Sequence, residues 1–97
     1  MASVKLTDRA KSNLERIFEF VARIDPKRAL AAVEDIEDAL QVLTRHPFIG
    51  RPAEEGRREL VISRGRNTYI ALYRWFEAEE LALVLAIRSA REAGYAD

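Results

Sequence analysis

The 97-residue chain has no cysteine, one histidine, one tryptophan and three lysines, and these scarcities narrow its chemistry before any pattern is read. Without cysteine there is no disulfide framework, no iron–sulfur cluster and no thiolate zinc site, a usage that fits a reducing compartment. The single imidazole, His46, excludes the usual His-rich metal sites and leaves no other histidine for a Ser-His-Asp triad. Neither a metal ion nor a cofactor is therefore expected. No apolar run approaches the ~18–20 residues of a transmembrane helix, and the N-terminal MASVKLTDRAK lacks the apolar stretch of a signal peptide. No membrane partner is expected, and the cytoplasm is the expected location. With 48% hydrophobic and 33% charged residues, the chain has the make-up of one globular core rather than of a disordered segment.

Sixteen basic side chains against sixteen acidic ones give a formal net charge of zero, but the sum hides an uneven distribution. Arg57, Arg58, Arg64, Arg66 and Arg74 share one stretch with a single acid, Glu59, while acids cluster at 34–38 and 77–80. Thirteen of the sixteen cations are arginine, the side chain suited to planar, bidentate contact with phosphate or carboxylate. Overall neutrality argues against a strongly anionic partner, although a local patch can suffice.

Residues 3–6 alternate and predict a short strand. Thr7 is a candidate N-cap, with Asp8 favourably placed in the first helical turn. Ala10, Leu14, Ile17, Phe18 and Val21 recur at spacings of three and four, predicting a helix to about Arg23. Asp25-Pro26 repeats the start signal, a cap followed by proline at the first helical position. Leu30, Val33, Ile36, Leu40 and Leu43 predict a second helix of about 20 residues, ~30 Å long, stopped by His46-Pro47. The acidic run 34–38 reads as its solvated face, with Ile36 alone turned inward. His46 sits where the helix dipole favours a basic group, a reading that needs no catalytic role. With two or three residues between them, the helices must double back as an antiparallel hairpin.

Beyond the loop at 47–57 the period changes to two. Leu60 and Ile62 alternate with Glu59, Val61 and Ser63; residues 68–76 are rich in β-formers; residues 81–87 are a nearly continuous apolar run. Turns at 64–67 and 77–80 make these three strands an antiparallel meander. Tyr69, Ala71, Tyr73 and Trp75 are expected on one face of the middle strand, and Ile70, Leu72, Arg74 and Phe76 on the other. In the last strand the same rule places Leu81, Leu83, Leu85 and Ile87 opposite Ala82, Val84, Ala86 and Arg88. The expected fold is α+β, in the order β-α-α-β-β-β: an antiparallel sheet with a helical hairpin packed on one face. One domain over residues 1–97 is expected, with the hairpin at 8–46, the meander at 57–88 and a C-terminal tail at 89–97. Aromatics on both faces of 68–76 imply that the face away from the helices is covered, and the tail can pack there. Arg74 can pair with Glu59 across the strands.

Leu43 to Pro47, Gly50-Arg51-Pro52, Arg58-Glu59-Leu60, Tyr69-Ile70 with Tyr73-Arg74, and residues 87–95 (Ile-Arg-Ser-Ala-Arg-Glu-Ala-Gly-Tyr) together resemble the RelE/ParE superfamily of toxins from bacterial type II toxin–antitoxin modules. The element order is similar too, over essentially the whole chain. The resemblance implies one of two activities. RelE-like members are mRNA interferases, endoribonucleases that cut mRNA in the ribosomal A site; ParE-like members inhibit DNA gyrase by binding.

For the nuclease, a base must activate the ribose 2′-OH, cations must hold the phosphate, and an acid must protonate the leaving oxygen. Arg64, Arg66, Arg74, Arg88 and Arg91 can supply cations, and Tyr95 can supply a proton or stack on a base. No general base is evident. Ser89 occupies a place where many relatives have histidine, arginine is too weakly acidic to serve, and the three lysines all lie in the helical half. The ParE-like reading asks only for a scaffold and an exposed surface, and is the one favoured; a non-toxic antitoxin-binding relative is the third possibility. The resemblance further implies a ParD- or RelB-like antitoxin whose disordered segment folds as it binds. Phe20 and Ile24 fall off the main stripe of the first helix and are candidate docking residues, with Arg58, Arg64, Arg66 and Arg74 available for antitoxin acids.

Overall fold

Side-chain caps set where both helices begin. The computed structural model describes residues 1–95; positions 96–97, the end of the expected tail, lie outside the described residues. After β1 (Ser3–Leu6), the Thr7 hydroxyl accepts the Ala10 N–H at 3.1 Å and starts α1 (Asp8–Ala22). Asp25 Oδ1 accepts the N–H groups of Lys27 and Arg28 and starts α2 (Pro26–Leu40). The chain then runs through β2 (Arg51–Pro52), β3 (Arg58–Arg64), β4 (Asn67–Phe76) and β5 (Leu81–Ser89). No helix among the described residues is long and apolar enough to cross a membrane.

α2 is shorter than its apolar spacing implies. At 15 residues it spans about 22 Å, and the chain tightens into a 3₁₀ turn at Gln41–Thr44 before His46. The Thr44 hydroxyl donates to the Gln41 carbonyl at 2.8 Å, and Pro47 disfavours helical backbone at His46. The buried stripe keeps Ile36, Leu40 and Leu43 as expected and departs at its start, where Ala29 is buried and Leu30 is 55% exposed.

The five strands form one sheet in the order β1-β5-β4-β3-β2, with the helical hairpin on one face, an α+β architecture. The meander β3-β4-β5 is antiparallel as expected. β1 departs from the expectation of an antiparallel sheet, because it pairs parallel to β5. No hairpin turn sets its direction; it is held by the Thr7 N–H, which donates to the Val84 carbonyl at 3.0 Å. β2, a two-residue strand inside the expected loop, pairs with Arg58 and Glu59.

The core lies between the hairpin and the sheet. Ala10, Leu14 and Ile17 of α1 and Ile36 and Leu40 of α2 meet Ile62, Tyr69, Ala71, Tyr73, Val84 and Ile87. Tyr69, Ala71 and Tyr73 share one face of β4, as alternation predicts, and that face is the one packed against the helices. In β5 the alternation breaks: Tyr73 pairs with Val84 while Leu72 pairs with Ala86, so Leu85 is an extra, bulged residue. Ala82 and Val84 face the core before the bulge and Ile87 after it, which overturns the expectation that Leu81, Leu83, Leu85 and Ile87 share a face. The backbone groups beside the bulge bond to the helical layer. The Leu85 carbonyl accepts the Thr7 hydroxyl at 3.0 Å, and the Ile87 N–H donates to Oδ1 of the buried Asn13 at 2.9 Å. Leaving a buried N–H unpaired costs about 1–3 kcal/mol, so Asn13 locks α1 onto β5.

Candidate functional site

The sheet face away from the helices carries Ile70, Leu72, Arg74 and Phe76 of β4, Glu59 and Val61 of β3, and Ala86 and Arg88 of β5, by strand pairing. Ile70 and Leu72 are nonetheless buried. Their cover is the C-terminal segment. The Ala90 N–H donates to the Thr68 carbonyl at 2.8 Å, and Glu92 takes an ion pair from Arg16 at 2.9 Å. Tyr95 donates its hydroxyl to Glu59 Oε2 at 2.6 Å, and Arg88 lies 5.1 Å from the centre of its ring. Glu59 is registered with Leu72 and Arg88 with Ile70, so a tyrosine reaching from β5 to β3 crosses the apolar middle of this face.

The six residues considered for nuclease chemistry do not form one cluster. Arg74, Arg88 and Tyr95 share the face just described. Arg64 is on the helix side, paired with Asp35 of α2 at 3.0 Å. Arg66 is exposed in the β3–β4 turn, and Arg91 lines a groove with Phe20 beside α1. Arg74 does not pair with Glu59, contrary to the cross-strand expectation. Its guanidinium lies 5.9 Å from the centre of the Phe76 ring, and Glu59 is instead bonded by Arg51 at 3.1 Å. Arg88 donates to the Glu92 carbonyl at 2.9 Å, and its buried Nε has no acceptor among the described residues.

The titratable groups here are poorly suited to proton transfer near neutral pH. The hydrogen bond from Tyr95 holds the Glu59 carboxyl below its ordinary value; burial opposes this, and the bond and charge of Arg51 reinforce it. Burial, followed by the bond to Glu59 and its negative charge, pushes the Tyr95 hydroxyl well above the usual tyrosine range. A depressed carboxylate is a weak base, and a raised phenol is reluctant to ionise. The lowered value also fixes a pH dependence. Glu59 binds a proton more readily in the unfolded chain, so its contribution is complete above the ordinary carboxylate value near 4.5 and is lost as pH falls through the lowered folded value. Denaturant unfolding of wild type and Glu59→Gln at neutral and acidic pH should show a stability gap that narrows on acidification; a gap that widens contradicts the assignment.

The residues considered for antitoxin contact are also divided. Phe20 and Ile24, 66% and 74% exposed, lie on α1 and in the turn after it. Phe20 borders a groove of about 400 Å³ whose floor includes Ile17 and Tyr69 and whose rim includes the Arg16–Glu92 pair. Arg58 is turned into the 47–50 loop, where it donates to the carbonyls of Phe48 and Gly50 at 3.1 and 2.8 Å. The same loop is held by buried Tyr73, whose hydroxyl donates to the Pro47 carbonyl at 2.7 Å and accepts the Gly50 N–H at 3.0 Å. Phe48 and Ile49, which the periodicity does not single out, are left 60% and 55% exposed at its tip.

Comparison with known proteins places this geometry in context. Residues 4–94 match the family model for the ParE toxin of the type II toxin–antitoxin system parDE. Toxin RelE3 of Caulobacter vibrioides is 31% identical over 74 residues, covering 76% of this chain and 80% of that protein. Among solved structures, a chain of the chromosomal ParDE system from P. aeruginosa superposes with a TM-score of 0.75 at 31% identity, covering 92% of this chain and 96% of that one. A chain of the toxin–antitoxin complex RelBE2 from Mycobacterium tuberculosis gives 0.62 at 28% identity, covering 91% and 96%.

Proposed function

The chain belongs to the ParE toxin family, and from that premise we infer that it arrests growth by binding and inhibiting DNA gyrase in the cytoplasm, and that a ParD-like antitoxin neutralises it. As a family member it is the toxin of a type II toxin–antitoxin module. What carries the finer reading is the dispersal of Arg64, Arg66 and Arg91 away from Arg74, Arg88 and Tyr95, with Glu59 held ionised beside Tyr95. Transition-state stabilisation in a nuclease needs donors converging on one phosphate, with a base within reach of the 2′-OH. Inhibition by binding needs neither.

Phe20 and Ile24 on the exposed side of the hairpin are the proposed antitoxin contacts, and the solved relatives belong to toxin–antitoxin systems. A folding segment can lay an apolar face into the groove beside Phe20. Of the four arginines considered with them, Arg58, Arg66 and Arg74 have no carboxylate partner among the described residues, Arg58 being held by loop carbonyls, whereas Arg64 would have to exchange Asp35 for an antitoxin acid.

A second reading, ribosome-dependent mRNA cleavage, is favoured by one arrangement: Arg74, Arg88 and Tyr95 share a face, and a relative carries the RelE name. Inducing the chain alone in a bacterial host separates the two. Filamentation with a DNA-damage response is the expected outcome. Rapid translation shut-off would favour the nuclease, and normal growth a non-toxic antitoxin-binding relative.

A further inference from the structure

The groove beside α1 holds polar groups that are unevenly satisfied. Arg16 and Glu92 pair across its rim at 2.9 Å and cancel, and Glu92 also accepts the Ser89 N–H at 3.1 Å. Arg91, exposed on the same rim, forms no ion pair among the described residues. The rim therefore carries one uncompensated positive charge.

Tyr69, which lines the groove with Ile17 and Val21, is unsatisfied as well. It is only 5% exposed, yet its hydroxyl has no hydrogen-bond partner among the described residues. The other two tyrosines are bonded, Tyr73 to Pro47 and Gly50 and Tyr95 to Glu59. A buried tyrosine hydroxyl ordinarily finds a partner, and an occupant of the groove can supply one. Burial pushes the Tyr69 hydroxyl above the ordinary tyrosine value, so it stays protonated and is a donor. The charge of Arg28 on α2 acts on it in the opposite direction, and Arg28 too has no ion pair among the described residues.

A phenol donor among cations without counter-ions is complementary to a carboxylate. A neutral acceptor would leave Arg91 unpaired, and a cationic side chain would be repelled by it. A free anion would leave the apolar part of the groove, Ile17, Phe20 and Val21, uncovered. The matching occupant therefore carries an apolar group and a carboxylate together. A segment that becomes helical as it binds presents such a pair on one face, three or four positions apart.

We propose that the groove reads an acidic residue of the antitoxin: an apolar antitoxin side chain packs beside Phe20, and an Asp or Glu on the same helical face accepts the Tyr69 hydroxyl and pairs with Arg91. This rests on the antitoxin reading and gives its contact a second, charged half.

The test titrates the co-purified antitoxin into the full chain carrying Tyr69→Phe or Arg91→Gln, with Arg45→Gln as an exposed control. Affinity should fall about tenfold for Arg91→Gln and about fivefold for Tyr69→Phe, and stay within about twofold for the control. Tyr69→Phe should melt no lower than wild type, because its hydroxyl has no bond to lose in the free chain. Replacing one antitoxin Asp or Glu by its amide should cost the same as Arg91→Gln, and the two together should cost little more than either alone. Wild-type affinity in both toxin variants, or no antitoxin acid coupled to Arg91, overturns the proposal. So does a Tyr69→Phe chain that melts well below wild type, since the hydroxyl then has a partner within the chain. If Phe20→Asp weakens binding while these variants do not, the antitoxin docks at α1 without an acid contact, and the proposal alone fails. If Phe20→Asp also binds like wild type, the groove is not the anchor and both readings fail.

Discussion

Gyrase- and antitoxin-binding aside, the Gly50→Ala chain is expected to melt about 12 °C or more below the wild type. A β-carbon on Gly50 would lie 2.6 Å from Tyr73 Cε1, 2.7 Å from its hydroxyl and 2.9 Å from the Glu59 carbonyl oxygen. None of these can yield cheaply. Tyr73 is fully buried and bonded at its hydroxyl, and the Glu59 carbonyl belongs to a strand paired on both sides. Overpacking costs about 1–3 kcal/mol, and disturbing the two hydrogen bonds at the hydroxyl adds about 0.5–1.5 kcal/mol each. A total of about 3 kcal/mol is a large part of the 5–15 kcal/mol of a typical domain. Tyr73→Phe keeps the ring and orphans the Gly50 N–H, so it should cost less, about 1–3 kcal/mol. Differential scanning calorimetry of both variants checks the order. A Gly50→Ala chain melting within about 2 °C of wild type would mean that the loop is not clamped as described.

Phe20→Asp should weaken antitoxin binding about 30-fold or more, the effect of losing an anchor worth about 2 kcal/mol. The substitution removes a ring that borders the groove and puts a carboxylate beside Glu92 on its rim. A partner covering that position would have to bury a charge where the ring was. Phe20 is 66% exposed, so stability should change by less than about 0.5 kcal/mol. Titration calorimetry against the antitoxin, with a melting curve as control, measures both. Unchanged affinity in a folded variant would remove α1 as the anchor.

Much of this architecture is legible in the sequence because its signals are local. Thr7 and Asp25-Pro26 mark the helix starts and do cap them. Strand parity puts Tyr69, Ala71 and Tyr73 on one face of β4, but Ile70 and Leu72 between them are as apolar and as buried, so which face meets the helices is not legible. Where contrast is missing, the reading fails. In LALVLAI every position is apolar, so period two carries no information about which side is buried, and the bulge at Leu85 goes unseen. Ala29 and Leu30 pose the same problem in α2, where the smaller residue is the one that fits against a neighbouring element. The direction of β1 depends on Thr7 meeting Val84, a contact 77 positions away in the chain.

The site is less legible for the same reason. That Arg74 and Arg88 share a face follows from strand parity and hairpin register only once the bulge is known. The partner of Glu59 is set by a tail that folds back across three strands to bring Tyr95 over it, and the partner of Arg64 by a helix 29 residues earlier. Phe48 and Ile49 look like ordinary loop residues until the bonds from Tyr73 and Arg58 reveal how firmly their backbone is held.

The central claim is that this toxin acts by binding gyrase rather than by cutting mRNA. Its most direct test is to add the purified wild-type chain to DNA gyrase supercoiling relaxed plasmid, and in parallel to translating ribosomes carrying a defined mRNA. The account predicts that supercoiling is inhibited, that the antitoxin restores it, and that the mRNA stays intact. Unimpaired supercoiling with cleavage of the ribosome-bound mRNA would contradict it.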